Sequence, residues 1–185
     1  MKRVTLFLFL AIFLLSACAS PVCGVPIYPE DAETTAFPVN SGSAVAARIN
    51  STVPLSGFEI RTGEGSESDA SLTLELYAFN GTYTVSAAAS PLQKAEFTGV
   101  GAGEWLFLQT RELPAGEYLL VVTAQSDGIT FEKTAGKSDL IDFYYAGSSV
   151  NDGAFPFRLI YQKEKAGDFS LARLLAAPGQ AISEE

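Results

Sequence analysis

The side chains able to do chemistry in this chain fall into a few groups, and the most local is an acidic loop. Gly63-Glu64-Gly65-Ser66-Glu67-Ser68-Asp69 gathers Glu64, Glu67 and Asp69 among flexible glycines. Hard oxygen donors in a bendable loop are what Ca²⁺ accepts, with backbone carbonyls completing its shell, so this loop is a candidate calcium site. Its spacing is not that of an EF-hand, and the alternative is a set of acids facing water. A second group is aromatic: Tyr77, Phe79, Tyr83, Trp105, Tyr118, Tyr144 and Tyr145. An aromatic ring can lie against the C–H face of a sugar while polar neighbours take the hydroxyls. Trp105, Tyr144, Tyr145 and Tyr77, with Arg158 as a polar partner, are the candidate ligand-binding residues. The remaining rings are expected to pack. Tyr144 and Tyr145 are adjacent, so on a strand one of the two must point outward.

Catalysis is the weaker expectation. The chain contains no histidine, which excludes Ser-His-Asp and Cys-His nucleophiles, His-ligated zinc and a histidine general base together. Asp139 with Asp142, or Glu64 with Asp69, could supply the paired carboxylates of a hydrolase. Spacing along the chain does not fix the approach distance such chemistry needs. A non-catalytic protein is therefore expected.

Elements that would position these residues can be read from periodicity. In Leu72-Thr73-Leu74-Glu75-Leu76-Tyr77 the leucines recur at every second residue, the mark of a half-buried strand. Asn80-Gly81 follows, a dipeptide suited to a tight hairpin, which predicts that Thr82–Ser86 runs back antiparallel. Further strands are expected at 45–50, 57–62, 94–98, 104–110, 116–125, 129–133, 139–146 and 155–162. Trp105 and Phe107 oppose Leu106 and Leu108 across the pleat. With no convincing amphipathic helix among these segments, residues 44–162 read as an all-β domain, an antiparallel two-sheet sandwich. Asp168 can cap a short C-terminal helix over Phe169–Ala176, ended by Pro178-Gly179, within a loose tail at 163–185.

The start of the chain has a different character. Met1-Lys2-Arg3 precedes the apolar run Val4–Leu15 and the small residues Ser16 and Ala17, the order of an export signal, and the run is shorter than the roughly 20 residues of a spanning helix. Leu15-Ser16-Ala17-Cys18 resembles the bacterial lipobox. That resemblance implies removal of residues 1–17, acylation of Cys18 with fatty chains such as palmitate, and a lipoprotein of the cell envelope held on the extracytoplasmic side of a membrane. Two or three acyl chains hold firmly where one does not. Ala17-Cys18-Ala19 also fits an ordinary secretory cut that would leave a soluble secreted protein. Residues 18–43, rich in proline, alanine, serine and threonine, read as a flexible tether. Cys23 is left as a single thiol beside a lipidated Cys18.

The formal charge is −9, and loss of residues 1–17 would remove Lys2 and Arg3 and no acid. So acidic a protein is not expected to bind nucleic acid. The run of Gly57-Phe58-Glu59-Ile60, Asp69, Leu72–Tyr77, Glu104-Trp105, Leu113-Pro114-Ala115-Gly116-Glu117-Tyr118-Leu119-Leu120-Val121 and Phe155-Pro156-Phe157-Arg158-Leu159 looks like the jelly-roll modules of the galactose-binding-like, carbohydrate-binding-module class. The likeness implies a jelly roll that recognises carbohydrate and can hold structural calcium. A structural lipoprotein that meets an envelope protein partner is the competing expectation.

Overall fold

The computed structural model describes residues 22–26, 33–135, 139–150, 153, 155–162 and 175–180. Residues 1–17, Cys18 and residues 169–174 of the helix expected over Phe169–Ala176 lie outside these, and its last two residues are not helical, Leu175 forming a β-bridge to Ser51. Among the described residues there are twelve strands and one short helix. The strands are β1 (Val22–Pro26), β2 (Thr34–Val39), β3 (Ala44–Ser51), β4 (Leu55–Arg61), β5 (Ala70–Ala78), β6 (Gln93–Val100), β7 (Trp105–Leu113), β8 (Gly116–Ala124), β9 (Ile129–Thr134), β10 (Ile141–Tyr145), β11 (Ser148–Val150) and β12 (Phe157–Gln162). The helix is α1 (Tyr83–Ala87). All strand pairs are antiparallel.

The chain is one long hairpin rolled up. Its pairs are nested: β5 with β6 at the tip, then β4 with β7, β3 with β8, β2 with β9, and β1 with β12 outermost. The three inner rungs fall alternately on two sheets, ordered β11-β10-β3-β8-β5-β6 and β1-β12-β4-β7, β2-β9 stands as a separate two-stranded sheet, and β1-β12 joins the four-stranded one. The result is an all-β, antiparallel sandwich.

Strand alternation builds the core. Leu72, Leu74 and Leu76 of β5 turn inward to meet Val45 and Ile49 of β3, Leu120 and Val122 of β8, and Phe58, Leu108 and Leu159 of the facing sheet, all of them buried. Dispersion and the loss of wet apolar area stabilise such a layer by roughly 1.5–3 kcal/mol per large side chain.

Two expectations are corrected. The segment expected to be a tether supplies two paired strands, β1 against β12 and β2 against β9. Its prolines are compatible with this because β1 is an edge strand and β2 belongs to a two-stranded sheet, where a missing amide donor can face away from the ladder. The expected return strand at 82–86 is instead α1. Thr82 is its N-cap, with an oxygen accepting from the Val85 amide, and the Ser86 hydroxyl donates to the Thr82 carbonyl while accepting from the Asn80 amide. These local side-chain bonds offer the backbone a helical turn in place of a ladder. The strand that does pair with β5 there is β6, beginning at Gln93 opposite Leu76.

Register also assigns the connections to two ends of the sandwich. Leu55 pairs with Leu113 and Tyr161, Ser51 with Gly116, Ala78 with Tyr118, and Val22 with Gln162. The connections 52–54, 79–92 and 114–115 therefore leave from the end where β1 starts. Residues 175–180 join them there through a Ser51–Leu175 bridge and a bond from the Ala176 amide to the Asn50 carbonyl. Connections 40–43, 62–69, 101–104 and 125–128 lie at the opposite end.

Candidate functional site

The candidate rings are divided between the outer faces of the two sheets. On the four-stranded sheet, Trp105 and Phe107 alternate outward from β7 while Leu106 and Leu108 fill the core. Trp105 lies opposite Arg61 and Phe107 opposite Glu59, which is itself opposite Arg158 on β12. The Arg158 guanidinium sits over the Trp105 ring at 3.8 Å and approaches Glu59 at 3.6 Å. Arg61 donates to the Gly103 carbonyl and to Glu64. Phe107 is 41% exposed, one of the few large apolar side chains that are.

Glycine shapes this face. A side chain at Gly57 would meet the Phe107 ring at 2.5 Å and the Leu108 carbonyl at 2.7 Å. Phe107 therefore lies flat over a backbone position where only hydrogen fits. The result is a shallow surface bearing two aromatic rings, two guanidinium groups and a carboxylate, and β7 is its edge strand.

The six-stranded sheet presents a different arrangement. Tyr144 of β10 turns outward and lies against Tyr83 of α1, centroids 5.3 Å apart, above a buried floor of Ala46, Leu119, Val121 and Tyr77. Arg48 donates to Asp142 at 3.2 Å and to Glu117 at 2.9 Å, and stacks over Phe79 at 4.1 Å. Residues 175–180 close one side: the Asn50 amide donates to the carbonyls of Ala177 and Gln180, and the Gly179 amide donates to Glu117. The Tyr77 hydroxyl donates to Glu75. Burial, reinforced by that bond and the charge of Glu75, pushes the Tyr77 phenol up to about 12. Burial also raises Tyr83 and Tyr144.

The five candidate ligand-binding residues thus do not share one site. Trp105 and Arg158 are in contact on one outer face, Tyr77 and Tyr144 belong to the other, and Tyr145 points into the core against Phe37, 4.9 Å away and edge-on. Sequence reasoning missed Phe107, Glu59 and Arg61 as members of the open face. The alternation of β7 already signals Phe107, whereas Glu59 and Arg61 are joined to it only by register.

The three carboxylates of the acidic loop are not gathered into one ligand group. Glu64 is held by Arg61 at 2.6 Å, the Glu67 side chain packs against Gly128, and Asp69 is exposed. The Ser66 hydroxyl and amide bonds to Thr130 and Gly63 set the loop as a corner. Among the described residues no group of three or more His, Cys, Asp or Glu could hold a metal ion. Two of the carboxylates offered as acid or base are likewise engaged, Asp142 by Arg48 and Glu64 by Arg61.

Among the described residues no helix is long and apolar enough to cross a membrane. No protein-family model matches the chain, and no curated protein matches it in sequence.

Proposed function

We propose that this protein is a lipid-anchored, extracytoplasmic recognition module of a bacterial cell envelope, non-catalytic, which binds carbohydrate or a glycosylated surface. The open face of the four-stranded sheet is the binding surface. The reading rests on one observation: Trp105 and Phe107 lie outward beside Arg158, Arg61 and Glu59, so apolar ring faces and hydroxyl-binding groups share one shallow surface. Sugars present that combination, an apolar C–H face rimmed by hydroxyls. Acylated Cys18 supplies the attachment to the bilayer, on the strength of the lipobox-like Leu15–Cys18.

A secreted form beginning at Ala19 should be retarded in glycan-containing affinity gels. Phe107→Ala and Trp105→Ala should abolish the retardation while the circular dichroism spectrum and melting temperature stay near wild type. Free migration of the wild-type protein across a broad glycan panel rejects carbohydrate recognition.

A second reading has its own observation. β7 (Trp105–Leu113) is the edge of its sheet among the described residues, and such an edge can accept an extended segment of an envelope protein. A photo-crosslinker at Gln109 in intact cells would then trap one defined neighbour.

A further inference from the structure

The sandwich treats its sheet edges unequally. An unpaired edge strand offers amide and carbonyl groups to any extended chain, and proteins blunt such edges with proline, shortness or inward-pointing charge. Among the described residues the six-stranded sheet ends in β11 and β6, and the four-stranded sheet in β1 and β7. β11 has only three residues, and β1 contains Pro26. β6 has eight residues and no proline. Its Ala95 and Phe97, opposite Leu74 and Leu72, face inward, are apolar, and are only partly buried against the core. Lys94 and Glu96 stand on the outer face, opposite Glu75 and Thr73, and both are exposed.

The order Lys94-Ala95-Glu96 on an open edge is self-complementary. Two copies of such a strand can pair antiparallel about a two-fold axis, with both cores on the same side of the joined sheet. Outer-face residues then pair with outer-face residues, so the axis passes through one residue and its copy. With Ala95 on the axis, Lys94 lies opposite Glu96 of the second copy, and Glu96 lies opposite Lys94 of the second copy. Both are cross-strand pairs of opposite charge. Moving the axis to Lys94 or to Glu96 sets two like charges face to face, so charge selects the register. Within one chain Lys94 touches Glu96 at 2.9 Å, and the Glu96 side chain still remains 69% exposed. We infer that β6 is a self-association edge, through which a second copy of this chain extends the six-stranded sheet with Ala95 on the two-fold axis. The same register sets the partly buried Phe97 opposite Gln93 of the second copy. The axis is perpendicular to the joined sheet, so the two open faces bearing Trp105 and Phe107 look the same way.

Charge reversal gives a test that reads only contacts between chains. Full-length copies carrying two different C-terminal tags are co-expressed and extracted in a mild detergent, and one tag is captured while the other is measured. Wild-type copies should be recovered together. Lys94→Glu copies should lose most of that recovery among themselves, and so should Glu96→Lys copies, because each substitution sets like charges opposite one another. Co-expressing a Lys94→Glu copy with a Glu96→Lys copy should return recovery to the wild-type level, since both cross-strand pairs are again of opposite sign. Damage to the fold of either variant is not repaired in this way. Wild-type copies that are not recovered together overturn the inference, as does capture of a different protein in place of the second copy. Recovery that is the same in every combination, or that the mixed pair fails to restore, overturns it equally.

Discussion

The two outer faces are built from the same materials, rings and arginines across antiparallel strands, yet among the described residues only one is left uncovered. On the six-stranded sheet, Arg48 is held by two carboxylates and a ring, α1 lies over the tyrosines, and residues 175–180 are bonded to Asn50 and Glu117. On the four-stranded sheet, Arg158 lies over the Trp105 ring and 3.6 Å from Glu59, and Phe107 is 41% exposed. Aromatic content therefore does not identify a binding surface. What distinguishes the faces is whether the chain supplies its own cover.

That contrast can be broken by substitution. The largest effect is expected from Arg48→Ala, which leaves Glu117 and Asp142 without their partly buried counterion and uncovers Phe79. A loss of about 2–3 kcal/mol in urea unfolding is the expected outcome. Equal costs for Arg48→Ala and Arg158→Ala would mean that both faces are structural.

A smaller effect is in pH. Tyr77 has its folded pKa raised from 10.0 to about 12. A raised folded pKa favours the protonated, folded form, so its contribution is complete below pH 10 and is lost as pH climbs through the window from 10 to about 12. Stability should fall across that window, and Tyr77→Phe should flatten the slope. Tyr83 and Tyr144 act in the same direction. The smallest effect is expected from Phe107→Ala, about 1 kcal/mol or less in the same unfolding assay because the ring is already 41% exposed. A larger cost would assign that ring to packing and weaken the open face as a binding surface.

Much of the framework is legible in the amino-acid sequence. Leu72, Leu74 and Leu76 announce β5 by alternation alone, and Leu106 with Leu108 imply that Trp105 and Phe107 look outward. The errors have specific causes. Prolines at 26 and 38 made β1 and β2 resemble a tether, because a sequence does not show that a strand will lie at an edge. Asn80-Gly81 indicated a hairpin, but the capping bonds of Thr82 and Ser86 won locally. Glu64, Glu67 and Asp69 resembled a ligand set because the residues that occupy the surroundings, Arg61 and Gly128, are brought there by folding. The Trp105–Arg158 contact was likewise invisible, since only the β12-β4-β7 register places them together.

The nested pairing sets the order in which the molecule can be completed. Each rung encloses the next, so contacts at the tip close short loops while the outermost rung, Val22 opposite Gln162, joins nearly the whole described chain. Loop entropy and the high share of distant contacts favour slow maturation that spreads outward from β5 and β6. A chain made from its N-terminus holds its opening strand without a mate until the final strand has been synthesised. During that interval the edges of β1 and β4, both awaiting β12, are open to the wrong neighbour, which makes a chaperone or a low local concentration valuable to this protein.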